Sequence, residues 1–577
     1  MVVFVLFCGH GFDESSLDDI KKTINFMKKT CKRCGQEFPI YDEDLEFYKK
    51  VGVEVPTLCP ACRQQRRLSF RNERKLYHRK CDYSGKQIIS IYSPEKPYKV
   101  FAQDIWWSDV WDPLDYGVAF DFSRPFFEQF EELQLKVPRL ALYQKNVENS
   151  AYTNHTENLK NCYLCVDTGD SEDICYSKWI ISSRDLVDCY QLEKAELCYE
   201  SLYSVGDYNC VHIYLSDNCR DSAFLFDCRD CSDCFMCANL RNKKFCILNK
   251  QYSEEDYQKI RGEIDLGSYK TLKEFRQKFI EFVDEKAVHR DQTLIQSEDC
   301  SGDMIYQCKN VKDSFEVINS QDCRYCYDAG HSKDCYDTYE QAFNCERQYE
   351  CHACNRGQFL IGCSVSYDVS DCFYSEMCHN SANLFGCIGL RHKQYCILNK
   401  QYSKEEYEEL LPKIITLMRA PASAGGGREN QEWGEFFPAS LSCFDYEETL
   451  AQEYFPQGVL CCPKEIKFEN TEIYRGPIYE IPDHIKNVDE SICSKVLICE
   501  VSAKPYKIIP LELEIYKKLG VAIPRRCPDQ RHLDRMALRN FRKLVEGKCG
   551  NCKKKILTAC DLIKQVYCEE CYLKFIK

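Results

Sequence analysis

The sequence predicts a mainly β protein, whose duplicated β-solenoid (parallel β-helix-like) body has helical caps and a cysteine-knuckle module at each end. Three observations predict this fold class. The stretch 234–257 recurs at 384–407 with 15 of 24 positions identical, which marks a duplicated structural unit. Cysteines recur through both blocks, between short β-favouring pieces and Asn, Asp, Ser or Gly turns. Pairs of Cys-x-x-Cys motifs stand near both ends of the chain.

The composition indicates a large chain whose thiols are reduced. The 577 residues carry a net charge of −13 and 42 cysteines, which we divide between metal ligation and core packing. The apolar start, residues 1–8, has no basic segment and is far shorter than the ~20 residues of a membrane span. We therefore expect a cytoplasmic location and no membrane association. The oligomeric state is left open.

The first knuckle pair is the sharpest metal motif in the sequence. Cys31 and Cys34 form one Cys-x-x-Cys, and Cys59 and Cys62 form the next. Zinc needs four ligands in a tetrahedron, and two such knuckles supply them when a hairpin brings them together. Pro60 suits the first turn of a helix, so the second knuckle should open one that runs toward Lys80.

Residues 31–63 resemble a known bacterial family. The family pattern joins CxxCGxxF to PxxCxxCR through an acidic, aromatic segment, and this chain has these motifs at 31–38, 44–48 and 56–63. The stretch is similar to treble-clef, or probable zinc-ribbon, domains; the resemblance implies a treble-clef fold, and the family has no agreed activity to transfer. As a whole the chain resembles uncharacterised cysteine-rich bacterial proteins with such domains at their ends.

The C-terminal segment repeats this module at a constant offset of 468 residues. The first finger of each module is the one with the ligands Cys31, Cys34, Cys59 and Cys62 in the proximal copy. The corresponding distal residues are Cys499, Ser502, Cys527 and Gln530, so the distal copy has lost half of that site. The second finger is intact only in the distal copy, with Cys549, Cys552, Cys568 and Cys571. Its proximal equivalents at this offset are Cys81, Ser84, Val100 and Gln103. Serine and glutamine are poor zinc ligands, so we expect two zinc ions per chain.

The middle of the chain divides at the repeats. Ser253 and Ser403 each read as the N-cap of a helix that seals a block. The predicted domains are an N-terminal extension 1–27, the proximal finger module 28–104, an aromatic connecting segment 105–157, a first solenoid block 158–252, a helical insertion 253–298, a second block 299–402, a cap helix with a Gly-rich linker 403–430, a connecting segment 431–498 and the distal finger module 499–577.

The cysteine rhythm of the first block fits registers of 21 residues. In these registers Cys189, Cys210 and Cys231 stack, and Cys198 stacks on Cys219. Such thiols would be small fillers of the solenoid interior. The run Cys228, Cys231, Cys234, Cys237 permits an iron–sulfur interpretation, but the second block lacks two of its equivalents, which favours packing. Lesser metal candidates are Cys162 with Cys165, Cys323 with Cys326, and Cys351 with Cys354.

Two basic segments carry the functional hypothesis. Segments 59–80 and 525–548 have net charges of +7 and +5 on an otherwise acidic chain. In the first of them, three-to-four spacing lays Arg66, Arg67, Arg71 and Arg74 along one helix stripe. We expect a non-enzymatic zinc scaffold that binds nucleic acid or a ribonucleoprotein through these side chains. The predicted contacts are Arg63, Arg66, Arg67, Arg71, Arg74, Arg531, Arg535, Arg539 and Arg542.

Other functions stay open at this point. The arginines could instead pair with the acidic body of the same chain. A β-solenoid enzyme acting on carbohydrate and a thiol or metal reservoir are the alternative functions. No phosphate-binding loop, dinucleotide fingerprint or metalloprotease motif is present in the sequence. Two zinc ions per chain favour the scaffold, whereas many would favour the reservoir.

Overall fold

The computed structural model describes residues 26–330, 332–333, 336, 338, 345–346, 348–349, 360–420, 432–456 and 476–577. The chain forms two compact units. Unit 1 takes in Met1–Arg67, Gly117–Glu131 and Gln321–Ala439, and unit 2 takes in Leu68–Tyr116, Glu132–Ser320 and Ser440–Lys577. The predicted Gly-rich linker, Cys351 and Cys354 lie outside the described residues, as does nearly all of the predicted extension 1–27. Within the described ranges, no helix is long and apolar enough to cross a membrane.

Unit 1 combines the first finger with most of the second β block. Its helices are Asp42–Lys50, Pro60–Leu68 and Lys404–Arg419, and the helix Phe126–Lys136 begins in it. Its strands are Phe26–Thr30, Glu37–Tyr41, Gln321–Arg324, Tyr327–Gly330, Ser332–Lys333, Cys345–Glu346, Gln348–Tyr349, Leu360–Ile361, Tyr367–Phe373, His379–Phe385, Gln394–Ile397 and Lys400–Gln401.

Unit 2 holds the first β block, the proximal second finger and the distal module. Its α-helices are Gln103–Trp106, Glu254–Gly262, Tyr269–Lys286, Leu450–Tyr454, Pro510–Leu519, Pro528–Met536 and Glu569–Phe575. The block strands are Gln144–Glu148, Asn154–Lys160, Val166–Cys175, Lys178–Ile181, Arg184–Val187, Tyr190–Glu193, Glu196–Tyr199, Leu202–Val205, Tyr208–Tyr214, Arg220–Phe226, Ser232–Ala238, Lys244–Ile247 and Lys250–Gln251. The others are Tyr77–Lys80, Gln87–Ser90, Val100–Phe101, Arg139–Leu140, His289–Arg290, Leu294–Ile295, Gly302–Tyr306, Lys309–Lys312, Ser314–Ile318, Leu497–Ile498, Pro505–Tyr506, Val545–Lys548, Lys555–Thr558 and Val566–Tyr567.

The first block is a parallel sheet, so the mainly β prediction is confirmed. Seven strands, from Val166–Cys175 to Tyr208–Tyr214, pair as a closed parallel ring. Each pairing joins residues twelve positions apart. One column runs Glu172, Arg184, Glu196, Tyr208, Arg220, Ser232 and Lys244. In the second block Tyr367 pairs with His379 at the same offset.

A three-residue period lies beneath this offset. Left-handed backbone recurs at nearly every third residue from Asn146 to Leu248, and again from Asp368 to Asn383. This conformation costs most L-residues about 1–2 kcal/mol, and Asn and Asp tolerate it best, which explains their frequency at these positions. In the first block the residue after nearly every left-handed position is buried and points inward. The inner core of the first block accordingly consists of residues spaced by multiples of three, such as Leu186, Cys189 and Leu192.

The narrow interior explains the abundance of cysteine. Each twelve-residue repeat contributes only four inward side chains, so there is room for Cys, Ser, Ala, Leu or Ile and little else. The thiols also donate hydrogen bonds to backbone carbonyl groups. Cys189 Sγ lies 3.4 Å from the oxygen of Val187 and 3.6 Å from that of Cys198, and Cys210 repeats this pattern. Cysteine is therefore both a small apolar filler and a donor.

The predicted register of 21 residues is wrong. Cys198 pairs with Cys210, twelve residues on, and not with Cys219. Cys210 pairs with Ser222 and not with Cys231. Because cysteine occupies inward positions of a three-residue period, any multiple of three can recur by chance in a sequence. The prediction that Cys189, Cys210 and Cys231 are interior is confirmed, since all three are buried.

The strongly repeated end of each block is an edge cap. Asn249 accepts a hydrogen bond from the amide of Ala238 and donates one to its carbonyl oxygen, both at 2.9 Å. Asn399 does the same with Ile388, at 2.7 and 2.8 Å. The amide side chains thus replace the backbone of a next strand. The predicted helix starts are also confirmed, because Ser253 and Ser403 both cap their helices.

Replacing the buried Cys210 by alanine should lower the free energy of unfolding by about 1–2 kcal/mol, because packing and a weak donor are lost. Urea unfolding of the two proteins measures the difference. In the native protein Cys210 should also resist alkylation until denaturant is added. Rapid labelling of Cys210 in the absence of denaturant would contradict an interior position.

Candidate metal centres

The proximal centre brings together the four cysteines that the sequence singles out. The thiols of Cys31, Cys34, Cys59 and Cys62 all lie within 4.8 Å of one another. Sulfur ligands bound at about 2.3 Å in a tetrahedron are about 3.8 Å apart, and Cys34 Sγ lies 3.8 Å from Cys59 Sγ. The amide of Cys59 donates to Cys31 Sγ at 3.3 Å, which orients that ligand. The group fits one structural zinc ion.

The distal centre has the same geometry and more exposure. Cys549, Cys552, Cys568 and Cys571 also lie within 4.8 Å of one another. Cys552 Sγ and Cys568 Sγ are 3.7 Å apart, and the amide of Cys568 donates to Cys549 Sγ at 3.3 Å. Cys552 is exposed here, whereas Cys31, Cys59 and Cys62 are buried in the proximal group. The two groups confirm the prediction of two zinc ions per chain.

One thiol in each group has a depressed pKa. Hydrogen bonding from the Cys62 thiol, opposed by burial, lowers the pKa of Cys59 to about 5. Burial acts against ionisation of Cys549, but the amides of Cys568 and Cys552 lower its pKa to about 6. Burial raises the pKa of Cys568 to about 12. Each group therefore holds a thiolate near neutral pH, and zinc binding must release the remaining thiol protons.

The same backbone frame occurs four times. After each first cysteine, the residue four positions on has a positive φ: Gly35, Gly85, Ala503 and Lys553. In each frame that residue's amide donates to the cysteine carbonyl oxygen, at 2.9–3.0 Å. Two frames have four cysteines, and two lack them. In the distal degenerate frame Ser502 Oγ lies 3.5 Å from Cys527 Sγ, so a hydroxyl stands where a thiol ligand would be.

The structure corrects two equivalences in the proximal degenerate frame. The amide that donates to Cys81 Sγ, at 3.3 Å, belongs to Ala102. Ala102 is therefore the counterpart of Cys568, and Ile105 is the counterpart of Cys571. Val100 and Gln103 are not the equivalents, because the proximal segment between the knuckles is two residues longer. The conclusion that this frame cannot hold zinc is unaffected, since alanine and isoleucine offer no ligand atom.

The other cysteine candidates do not assemble into a metal group. Among the described residues, only the two groups above bring three or more ligands together. The run from Cys228 to Cys237 is buried, and its thiols donate to carbonyl oxygens. Cys162 and Cys165 do the same, at 3.3 and 3.4 Å. These positions follow the three-residue period, which supports packing.

The distal arginines predicted to face nucleic acid point into unit 2. Arg531 and Arg535 are almost completely buried, and each places a guanidinium nitrogen 2.7 Å from a different oxygen of Asp188. Arg531 also contacts the Tyr516 hydroxyl at 2.8 Å. Two further members of the set pair with acids of the same unit, Arg539 with Glu453 and Arg542 with Glu316.

The proximal arginines, like the distal ones, contact groups within their own unit. In unit 1 Arg66 pairs with Glu435 at 3.0 Å, Arg63 donates to the carbonyl oxygen of Leu58, and Arg67 is fully buried. In unit 2 Arg71 lies 2.7 Å from Glu73 and 2.6 Å from Asp167, and Arg74 lies 3.5 Å from Asp529. The predicted arginine stripe is thus not a solvent-facing surface, and Arg66, Arg71 and Arg74 pair with acids of their own unit.

Asp188, the buried partner of Arg531 and Arg535, could not be singled out from the sequence. It is fully buried and occupies a left-handed position of the triplet series. More than ten other Asp and Asn residues stand at such positions, so nothing local distinguishes it. Aromatic residues at left-handed positions act similarly in unit 2, where the ring of Tyr176 lies beneath Arg531, 4.6 Å from its guanidinium carbon.

Because Cys552 is exposed, a chelator should remove the distal zinc before the proximal one. Release followed with a zinc-sensitive dye should show two phases. The fast phase should disappear in Cys552→Ser, and the slow phase should disappear in Cys34→Ser. A fast phase that persists in Cys552→Ser would contradict this assignment.

The comparisons agree with the geometry of the first finger. The family model described as "Probable treble clef domain" matches residues 27–71, which include Cys31, Cys34, Cys59 and Cys62. A comparison with curated proteins finds no match to the chain. The matched segment supplies the hairpin, the helix Asp42–Lys50 and the helix Pro60–Leu68. Residues 27–71 are therefore similar to a treble-clef domain, and they carry the first of two cysteine groups suited to zinc.

Proposed function

We propose that this protein is a non-enzymatic scaffold, in which zinc-stabilised finger modules clamp parallel β blocks and present a surface to nucleic acid or a ribonucleoprotein. The bridge from Asp188 to Arg531 and Arg535 carries the proposal. The helix Pro528–Met536 starts directly after Cys527, and its arginines form ion pairs with the neighbouring β block. Both zinc sites need reduced thiols, which agrees with the proposed cytoplasmic location.

The parallel pairing supports a solenoid with twelve-residue coils. All parallel strand pairings in the first block have that offset, and one coil would hold four triplets. A duplicate of residues 208–219 inserted after 219 should then add one coil and leave the protein folded. Insertion of only the first six of these residues should destabilise it, because the inward positions would no longer meet their neighbours. Equal tolerance of both insertions would contradict the solenoid.

The alternatives receive less support. An open groove of unit 2 runs along Lys160, Glu172 and Glu196, and both of these acids are in ion pairs, Glu172 with Lys160 and Glu196 with Arg184. Lys160 lies 2.8 Å from Glu172 and lowers the pKa of that carboxyl, whereas a glycosidase needs one acid with a raised pKa. A thiol reservoir needs accessible thiols, and those of the first block's inner core are buried.

The binding part of the proposal has a direct test. Fluorescence anisotropy with single-stranded and duplex RNA and DNA should show binding that tolerates sequence and weakens steeply with salt. Failure to bind any of the four at low salt would contradict the nucleic-acid role. The zinc and clamp assignments would be unaffected by that outcome.

A further inference from the structure

The four knuckle frames differ at the strand pair that precedes each knuckle. The residue before each first cysteine faces a cross-strand partner: Thr30 faces Glu37, Lys80 faces Gln87, Ile498 faces Pro505, and Lys548 faces Lys555. Like charges directly opposite on a hairpin are destabilising. Of the four frames, the intact distal finger is the one with like charges opposite each other at this position.

Among the described residues of the finger, no ion pair offsets the repulsion. Lys548 and Lys555 are exposed, and in the described part of the chain neither has an ion pair. Lys553 and Lys554 extend the cluster through the knuckle turn and are also exposed. Residues 543–577 contain eight lysines and four acidic residues, while the chain as a whole has a net charge of −13. Two of those four acids, Glu569 and Glu570, already pair with Arg290 and Lys574.

We propose that the distal lysine face, defined as Lys548, Lys553, Lys554 and Lys555, binds the phosphate backbone of nucleic acid. This inference rests on the proposed function and moves its contacts from the buried arginines to this hairpin. A phosphate between Lys548 and Lys555 would relieve the repulsion that the free protein bears. Lysine contacts phosphate as a point charge, so we expect little preference for sequence.

The hairpin geometry favours nucleic acid over an anionic membrane. A membrane surface would need a broad apolar area beside the lysines, and on the lysine face of the described hairpin Leu557, 45% exposed, is the one exposed aliphatic side chain. The most exposed aliphatic residues of the finger are Leu562 and Ile563. Leu562 packs on the Gly547 face of the hairpin, 2.7 Å from where a Gly547 Cβ would lie. Side chains alternate between the faces of a strand, so Lys548 is on the opposite face from this aliphatic pair.

The test uses the full-length zinc-loaded protein and a double variant, Lys548→Glu with Lys555→Glu. Binding to an unstructured RNA and to duplex DNA is measured at about 50 mM and about 200 mM salt. The double variant should lose at least about tenfold in affinity, and its salt slope should fall by about 1.5, because two phosphate contacts are removed. The zinc content should not change.

Two further variants separate binding from folding. Lys80→Glu with Lys86→Glu changes the positions of the proximal degenerate finger that correspond to Lys548 and Lys554, and this variant should bind as well as the wild type. Lys548→Glu alone places opposite charges across the hairpin, so it should unfold at the same temperature as the wild type or higher while binding more weakly. A variant that is at least as stable but binds more weakly cannot owe its weaker binding to unfolding.

The outcomes distinguish this inference from the proposed function. If the wild type binds nucleic acid and the lysine double variant binds equally well, the lysine face is overturned and the proposed function stands. If the wild type binds neither RNA nor DNA, both fall. If the wild type binds vesicles of phosphatidylserine and phosphatidylcholine but no nucleic acid, and the double variant loses that binding, the face belongs to a membrane contact and the inference is overturned.

Discussion

Asp188→Asn should lower the free energy of unfolding by about 3–5 kcal/mol, because it removes the buried counter-charge of Arg535 and leaves Arg531 with Glu512 alone, at 3.3 Å. Both oxygens of Asp188 are used, by Arg531 and by Arg535, each at 2.7 Å. An asparagine keeps the shape but turns an amide group toward one of the two guanidinium groups. Urea unfolding measures the loss, and the zinc content should stay at the wild-type value.

Asp185→Asn is the matched control. Asp185 stands one triplet earlier, also in the left-handed conformation, and pairs at 3.0 Å with Lys518, which is 42% exposed. Its loss should cost less than about 1 kcal/mol. Arg535→Gln, alone and combined with Asp188→Asn, completes a double-mutant cycle that should be strongly non-additive. Additive effects, or equal costs for Asp185→Asn and Asp188→Asn, would show that Asp188 does not bridge Arg531 and Arg535.

Cys34→Ser or Cys552→Ser should each unfold its own finger, because structural zinc contributes on the order of 10 kcal/mol to such small modules. Limited proteolysis should then cut within residues 31–62 of the first variant and within 549–571 of the second. Each variant should keep the fold of the other finger, since the two cysteine groups belong to different units. Protection of both segments in either variant would contradict a structural role for the metal.

Cys499→Ser is the corresponding change in a degenerate frame, and we expect no new cleavage there. Cys499 and Cys527 are buried among apolar residues of unit 2, so packing holds this frame. Hydrogen bonds from the Cys527 thiol and from Ser502 lower the pKa of Cys499 to about 4, although burial opposes this. Serine at 499 can accept the same hydrogen bonds, and its smaller size costs only some packing.

The zinc ligands were predictable because their chemistry is local. Four cysteines in two Cys-x-x-Cys pairs are typical of a tetrahedral zinc site, and the offset of 468 separated complete ligand sets from incomplete ones. That offset failed only where two extra residues precede Ala102, and a loop insertion leaves no mark in residue types. The helix starts at Ser253 and Ser403 were predictable for the same local reason.

The twelve-residue period of the β blocks is present in the sequence, but the spacing of the cysteines does not identify it. Cysteine marks inward positions, which recur every three residues, so spacings of 9, 12 and 21 all occur between cysteines. The more informative signal was Asn or Asp immediately before inward residues, as at Asn161, Asp173 and Asp188, because those positions require left-handed backbone. The twelve-residue offset itself follows from strand pairing, which is a non-local property.

The role of the arginines could not be predicted from the sequence. A basic stripe at helical spacing fits a phosphate contact and an internal ion-pair network equally well, and only the position of Asp188, Glu73 and Glu435 decides between them. Reversing Arg67 and Arg71 to glutamate would test the surface hypothesis if both were exposed. Both are buried, so the change would introduce unpaired charge into the interior and unfold the protein instead.

Elemental analysis of the purified protein tests the central claim most directly. We expect two zinc ions per chain in the wild type, one in Cys34→Ser, one in Cys552→Ser and two in both Cys81→Ser and Cys499→Ser, as the two complete cysteine groups require. Four zinc ions in the wild type, or loss of zinc in Cys499→Ser, would contradict the division into two metal-binding and two metal-free frames.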